Sequence, residues 1–496
     1  MRSNESVSGE GSSFDGPRRG LGLGFTPALF AGVALVLGAC SQNVRGACVT
    51  CDPGALPSAS PSSTATASPS GAPSTMPPPV MDDPMARLKT LLLPKDAKAP
   101  VDVTNRYADD PRAAALGKKF FYETRFSGPL LDQANNGTSG TLGMQGETGK
   151  VGCVSCHVTD GGAFADLRSP RQQLSLGSGW THRKAPSILD VAQGQFFMWD
   201  GRRDSVFSQV FSPIESPLEF NSSRLFVAQQ VARLYRAEYE AVFGAMPDLS
   251  KYPALDASQA GCSELPSDPV SGQCGKPGDQ DEPVTRVVAN LGKAVQAFTR
   301  TLSCGRSRFD EWLEGTETAL SDQEKAGALL FVGKAGCSMC HSGPYLTDGR
   351  FHNVGLSGGL VPFTGVATFN DPGAAPAVAV LLKDPLNSRG VFSDGDDRRL
   401  DKLPADPQAL LGSFKTPGLR CVSRRGSFMH NAEFRSLGDV VDFFNEGASS
   451  GGFVGVAENA PRNLSREERE QLVAFLTALD GSGPDPAAMV PPTLAP

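Results

Sequence analysis

The sequence predicts a mainly α-helical protein of two similar halves, and three observations carry that reading. The chain holds two complete Cys-x-x-Cys-His segments, Cys153-Val154-Ser155-Cys156-His157 and Cys337-Ser338-Met339-Cys340-His341. A helix-start signal precedes each: Asp110-Pro111 ahead of Leu116, Phe120 and Phe121, and Ser321 with Glu324 ahead of Ala328, Leu329 and Phe331. Stretches rich in Gly, Pro and Asp at 129–150 and 355–412 read as long surface loops. In a Cys-x-x-Cys-His segment the two thiols bond the vinyl groups of a haem, and the imidazole is left facing the iron as its axial ligand. A zinc ribbon would bring its Cys pairs within a few tens of residues, and a thioredoxin-like pair has no trailing His.

Helix, loop and motif occur twice, so the repeat reads as two cytochrome c-like domains, each wrapped around one covalently bound haem, with long coil loops. A chain of 496 residues has room for both. Its start reads as a processing segment over 1–40: Arg18 and Arg19, an apolar run from Leu21 to Val36, then Leu37-Gly38-Ala39-Cys40. This resembles a bacterial lipoprotein signal with Cys40 lipidated. The expected location is the periplasm or the outer membrane surface, anchored by lipid only, because the run is too short and too broken by Gly and Pro to span. Residues 41–80, dominated from 52 onward by Pro, Ser, Ala and Thr, read as a tether that cannot bury a core. The first haem domain is expected over 81–300 and the second over 301–496. Helical periodicity runs through 225–243 and 284–302, the latter closing the first unit. Ser465 with Glu468 caps a late helix whose Leu472, Phe475, Leu476 and Leu479 share a face. The formal charge of −7 argues against a nucleic-acid partner.

Export places the thiols in an oxidising compartment. Of eleven Cys, Cys40 and the four motif cysteines are accounted for. Cys262 and Cys274 enclose a short polar loop and suit a local disulfide. Cys48 and Cys51 form a further Cys-x-x-Cys, but Asp52 stands where a haem motif needs His. Cys304 and Cys421 remain and are expected, by elimination, to cross-link distant parts of the second half.

Between the motifs lie His182-Arg183-Lys184-Ala185-Pro186-Ser187, Phe196-Phe197-Met198-Trp199-Asp200-Gly201-Arg202, Gln209, Pro213 and Glu219. After the second come Leu346-Thr347-Asp348-Gly349-Arg350-Phe351-His352-Asn353 and Phe414-Lys415-Thr416-Pro417-Gly418-Leu419-Arg420. Together, over about 107–480, these resemble the bacterial dihaem cytochrome c peroxidase family, which includes the dihaem enzyme that matures the quinone cofactor of methylamine dehydrogenase. The resemblance implies a peroxidatic haem held by Cys153, Cys156 and His157. It implies a second haem held by Cys337, Cys340 and His341 that accepts electrons from a small cytochrome or copper protein. Trp199 matches the tryptophan between the haems. Glu219 and Gln209 match the distal glutamate and glutamine, the base and polar partner that cleavage of hydrogen peroxide requires. A carboxylate beside a buried haem is expected to have a raised pKa. A homodimer is the assembly the family allows. The competing readings are a dihaem oxidase acting on a protein or organic substrate, and a non-catalytic dihaem electron carrier.

Departures from the family carry further expectations. Ser178 stands where many relatives place a histidine that blocks the peroxidatic iron, so an open first iron is expected, with His182 the rival ligand. Lys184 stands where calcium-containing relatives have an Asn ligand, and Arg424 and Arg425 lie on the opposing segment. Cations disfavour calcium, and Lys184 is expected to replace it electrostatically. Phe444 stands where the second haem's distal Met or Tyr is expected; Met429, or His430, is the substitute ligand.

Overall fold

Each helix-start signal has become a helix. The computed structural model describes residues 83–166, 174–261, 275–358 and 370–496, so Cys262, Cys274 and every expectation for 1–82 lie outside the described residues. The main helices are α1 (Pro84–Lys89), α2 (Pro111–Tyr122), α3 (Arg224–Leu234), α4 (Arg236–Phe243), α5 (Glu282–Thr299), α6 (Asp322–Val332), α7 (Ala374–Leu381), α8 (Leu437–Glu446) and α9 (Arg466–Ala478). Asp110 caps α2 through the Arg112 amide, with Pro111 in the first turn. Ser321 with Glu324 and Ser465 with Glu468 form reciprocal capping boxes on α6 and α9. The only strands among the described residues, β1 (Phe351–His352) and β2 (Phe414–Lys415), pair antiparallel with Phe351 opposite Lys415.

The core is built twice. In the first half α2 lies along α5, joining Leu116 and Phe120 to Val287, Leu291 and Val295. In the second α6 lies along α9, joining Ala328 and Phe331 to Leu472, Phe475 and Leu476. A glycine sits at each crossing. A Cβ on Gly117 would overlap the Ala294 carbonyl, and one on Gly327 the Gln471 carbonyl, so each helix pair meets backbone to backbone.

The repeat runs deeper than the helices. Lys184, Asp190, Met198, Trp199, Gly201 and Ser205 recur at one constant spacing as Lys415, Cys421, Met429, His430, Ala432 and Ser436. Their conformations recur too. Asp190 and Cys421 have φ of 56° and 53°, Met198 and Met429 65° and 69°, Gly201 and Ala432 70° and 58°. Phe197 bridges Arg203 as Phe428 bridges Phe434. The two copies then clasp each other reciprocally: the Lys184 amide donates to the His430 carbonyl and the Lys415 amide to the Trp199 carbonyl, both at 2.8 Å.

Two expectations need correction. The 225–243 stretch is two helices, α3 and α4, broken at Tyr235 (φ −130°, ψ 16°), whose ring is buried and whose hydroxyl donates to Glu123. The 355–412 stretch is not all surface loop: α7 buries Val378 and Leu381, and Arg399 and Leu400 are also buried. Gly and Pro at its flanks hid a short apolar helix whose Pro376 falls in the first turn, where no amide is needed.

Cys304 and Cys421 are disulfide-bonded, as expected, and span 117 residues of sequence. Segments on both sides cross over the expected boundary at 300. Leu88 and Leu91 pack with Phe309 and Trp312 in the second core. The C-terminal tail returns to the first half, where Lys118 Nζ donates to the Ala487 carbonyl (2.6 Å) and Tyr122 to that of Met489 (2.9 Å). No helix among the described residues is long and apolar enough to cross a membrane.

Helix propensity alone says that Gly117→Ala and Gly327→Ala stabilise by about 1 kcal/mol. The crossings reverse the sign: each substitution is expected to destabilise by about 1–3 kcal/mol through overpacking. Denaturant unfolding of the two variants checks this, and a gain in stability in either contradicts it.

Candidate active site

One cavity of about 1600 Å³ runs past both Cys-x-x-Cys-His segments. A single small-molecule site takes about 300–1,000 Å³, so this cavity is large enough for more than one bulky group. All five histidines of the chain and all four motif cysteines line it. The imidazoles are prepared as neutral ligands, because burial lowers the pKa of both His157 and His341. His341 Nδ1 lies 3.0 Å from the Leu346 carbonyl, a bond that leaves Nε2 as the ligating nitrogen. Among the described residues the buried His157 Nδ1 has no hydrogen-bond partner of good geometry. Two of the motif thiols are kept protonated, burial pushing Cys153 up to about 12 and Cys337 to about 11.

On the side of the first motif the chain turns sharply to present two polar groups. Ser205 caps the short helix Val206–Gln209 through the Ser208 amide, and Gln209 Nε2 lies 3.4 Å from Met198 Sδ. After Phe211–Glu215 the chain closes on Ser216, whose carbonyl accepts from the Glu219 amide (3.1 Å), and Glu219 and Gln209 both line the cavity. Burial raises the Glu219 carboxyl, with Arg202 and Ser216 opposing. Arg202 is held in turn by Asp200, which accepts from Arg202 Nη1 at 3.0 Å; against its own burial, Arg202 and Arg183 keep Asp200 at about 2. Ser178 is not part of the cavity wall: its hydroxyl donates to the Pro129 carbonyl (2.9 Å) and accepts from the Leu131 amide (3.0 Å). His182 lines the cavity.

Trp199 stands where the two repeats meet. Its Nε1 donates to the Lys184 carbonyl (2.7 Å), and its ring lies 6.5 Å from that of His430. His430 stacks on Phe414 at 3.7 Å and 13°. Arg183 binds both Asp200 and Asp371, and covers the Phe414 ring. Lys184 is 3% exposed and donates from Nζ to the Ser427 carbonyl (2.9 Å) and hydroxyl (2.7 Å). Burial lowers its ammonium to about 8. Met429 and Phe444 both line the cavity, as do Cys337, Cys340 and His341.

The comparisons with known proteins agree with this geometry. The sequence model of the di-haem cytochrome c peroxidase family matches residues 111–318. The methylamine utilization protein MauG of Methylorubrum extorquens is 30% identical over 314 residues, 63% of this chain and 67% of its own. The chain belongs to this family. As a family member it is an oxidoreductase, and its cofactors are two haem groups. The cytochrome-c peroxidase IdrP2 of Denitromonas iodatirespirans is 27% identical over 386 residues, 76% of this chain and 83% of its own. The crystal structure of the diheme peroxidase BthA from Burkholderia thailandensis shares the fold, with a TM-score of 0.54 and 22% identity over 79% of this chain and 95% of that one.

The residues expected from the sequence to carry the di-haem site, Glu219, Gln209, Trp199, Met429 and the two motifs, therefore share one cavity. Sequence reasoning gave no role to Arg202, Met198 or Lys415. The paired Phe-Met steps at 197–198 and 428–429 and the paired Lys-x-Pro steps at 184–186 and 415–417 were the signal that could have found the last two.

Lys184 generates a pH dependence with a definite sign. Its folded pKa of about 8 lies below the unfolded value of about 10.4, so the unfolded chain holds more protons between them. Stability therefore rises with pH across that window, by about 3 kcal/mol from this group. Chemical denaturation from pH 7.5 to 10.5 is expected to show this rise, and Lys184→Met to lack it; equal slopes contradict the assignment.

Proposed function

We propose that the protein reduces hydrogen peroxide to water, using electrons from a small cytochrome or copper protein. Each peroxide takes up two electrons and two protons and yields two waters. Cys153, Cys156 and His157 would hold one haem; Cys337, Cys340 and His341 would hold the other. Those haems supply the iron chemistry and the electron store. The single observation that carries the reading is Glu219 and Gln209 on the cavity wall beside the first motif, with the Ser178 hydroxyl engaged elsewhere.

The side chains have separable tasks. Glu219, raised by burial, takes the proton from the near peroxide oxygen and returns it to the far one. Gln209 donates to the oxygen that leaves. Trp199 would relay electrons across the seam between the two haem sites, and Met429 would be the second-haem ligand in place of Phe444. Lys184 takes the position of a bridging calcium ion, since its ammonium already satisfies the Ser427 carbonyl that a cation would seek. The lipid anchor at Cys40, the tether over 41–80 and the two haem domains over 81–300 and 301–496 complete the proposal. They would place the enzyme in the periplasm or on the outer membrane surface.

The 30% identity to MauG favours one second reading, oxidation of a protein or organic substrate through the same open haem. Turnover decides between them: rapid peroxide-dependent oxidation of a reduced cytochrome supports the first, and its failure in a chain with two loaded haems supports the second.

Two outcomes are expected of the purified protein. Electron paramagnetic resonance of the oxidised form shows one high-spin iron without prior reduction, and Glu219→Gln lowers kcat by about 10²–10⁴ while removing the limb of the pH profile that rises above the usual carboxylate range. Two low-spin irons, or an unchanged profile, contradict the assignment. Calorimetry after chelation shows no tight calcium uptake; tight uptake contradicts the role given to Lys184.

A further inference from the structure

The two copies of the repeat differ in how their lysines are satisfied. Lys184 Nζ has the carbonyl and hydroxyl of Ser427 as acceptors. The residue that matches Ser427 in the other copy is Phe196, which offers no side-chain acceptor. Lys415, the counterpart of Lys184, accordingly has no hydrogen-bond acceptor for Nζ and no carboxylate within 4.0 Å among the described residues. It is half-buried, and it lines the cavity.

A second cation shares this situation. Arg425 lines the same cavity, donates from Nη2 to the Gly418 (2.7 Å) and Arg420 (3.2 Å) carbonyls, and leaves Nε buried with no partner among the described residues. Neither nearby acid is available to it. Asp190 accepts from Ser303 (2.7 Å) and the Cys304 amide, and Asp480 accepts from Ser423 and pairs with Arg424 at 3.6 Å. Lys415 and Arg425 feel each other as like charges, and burial lowers Lys415 to about 8 and Arg425 to about 10. A cation drawn partly out of water without a carboxylate is costly, and persists where an anion meets it.

The backbone around Lys415 belongs to the second-motif side. Lys415 ends β2, which pairs with β1 ten residues beyond His341, and Thr347 Oγ1 donates to the Thr416 carbonyl at 2.7 Å. A tetrapyrrole bonded to Cys337 and Cys340 brings two propionate carboxylates into this cavity. We infer that Lys415, with Arg425 beside it, is the counter-ion of a propionate of the haem held at Cys337–His341. The inference rests on the di-haem reading of the cavity. The pair neutralises charge that would otherwise favour the oxidised iron, so it sets the potential at which the second haem takes up electrons.

The test uses the holoprotein with Lys415→Met, Lys415→Arg and Arg425→Gln. Haem content comes from the alkaline pyridine spectrum and midpoint potentials from spectroelectrochemical titration. With two haems per chain, Lys415→Met is expected to lower the potential of one haem and leave the other in place. Lys415→Arg restores it, and Arg425→Gln shifts the same haem in the same direction. If Lys415→Met does not load, the Arg425→Gln shift is read in its place. Loaded variants with both potentials unchanged, or an equal shift in both haems, overturn the inference. A wild-type chain with fewer than two haems overturns instead the reading beneath it.

Discussion

The reciprocal clasp between the two repeats is the constraint on which the rest depends. Lys184 bonds the backbone of His430 and Lys415 bonds the backbone of Trp199, so equivalent residues exchange equivalent bonds across the seam. Each bond is modest, about 1 kcal/mol. Their force comes from being fixed on both sides: the Trp199 indole ties back to Lys184, and Arg183 pins Asp200 in one copy and Asp371 beside the other. Sliding one copy past the other would strand these groups, several of them buried charges, at several kcal/mol apiece. Both Cys-x-x-Cys-His segments are thereby held to one cavity at a set separation.

On that near-symmetric frame the side chains differ, and the differences carry the chemistry. The indole of Trp199 faces the imidazole of His430, and Gln209 stands where the second copy has Val440. Lys184 is satisfied by Ser427, while the Lys415 ammonium has no acceptor among the described residues. One side of the cavity thus gains a carboxylate and an amide suited to moving protons, and the other gains cations suited to tuning an electron store. The frame supplies distance and orientation. The substitutions supply the division of labour between a proposed reactive iron and a proposed relay.

Legibility in the sequence followed the range of the interaction. Local signals read true: the caps at Asp110, Ser321 and Ser465 depend on residues two or three apart, and the motif spacing is itself local chemistry. The Cys304–Cys421 bond emerged because few thiols remained. The full extent of the repeat did not emerge, because half of its matched positions change identity, Trp to His, Asp to Cys and Gly to Ala, the last two pairs while keeping a positive φ. The break at Tyr235 and the crossing of segments between the halves are decided by distant partners, Glu123 and the two cores, that no window along the chain contains. Arg202 was invisible as a neighbour of Glu219 for the same reason.

The central claim is that electrons stored on the second side reach the first through the seam at Trp199. Stopped-flow mixing of fully reduced protein with one equivalent of peroxide, following the oxidation of the second haem by its own absorption, tests it most directly. The account predicts that Trp199→Phe, with both haems loaded and both potentials unchanged, oxidises its second haem markedly more slowly than the wild type. Equal rates in the two proteins would contradict it.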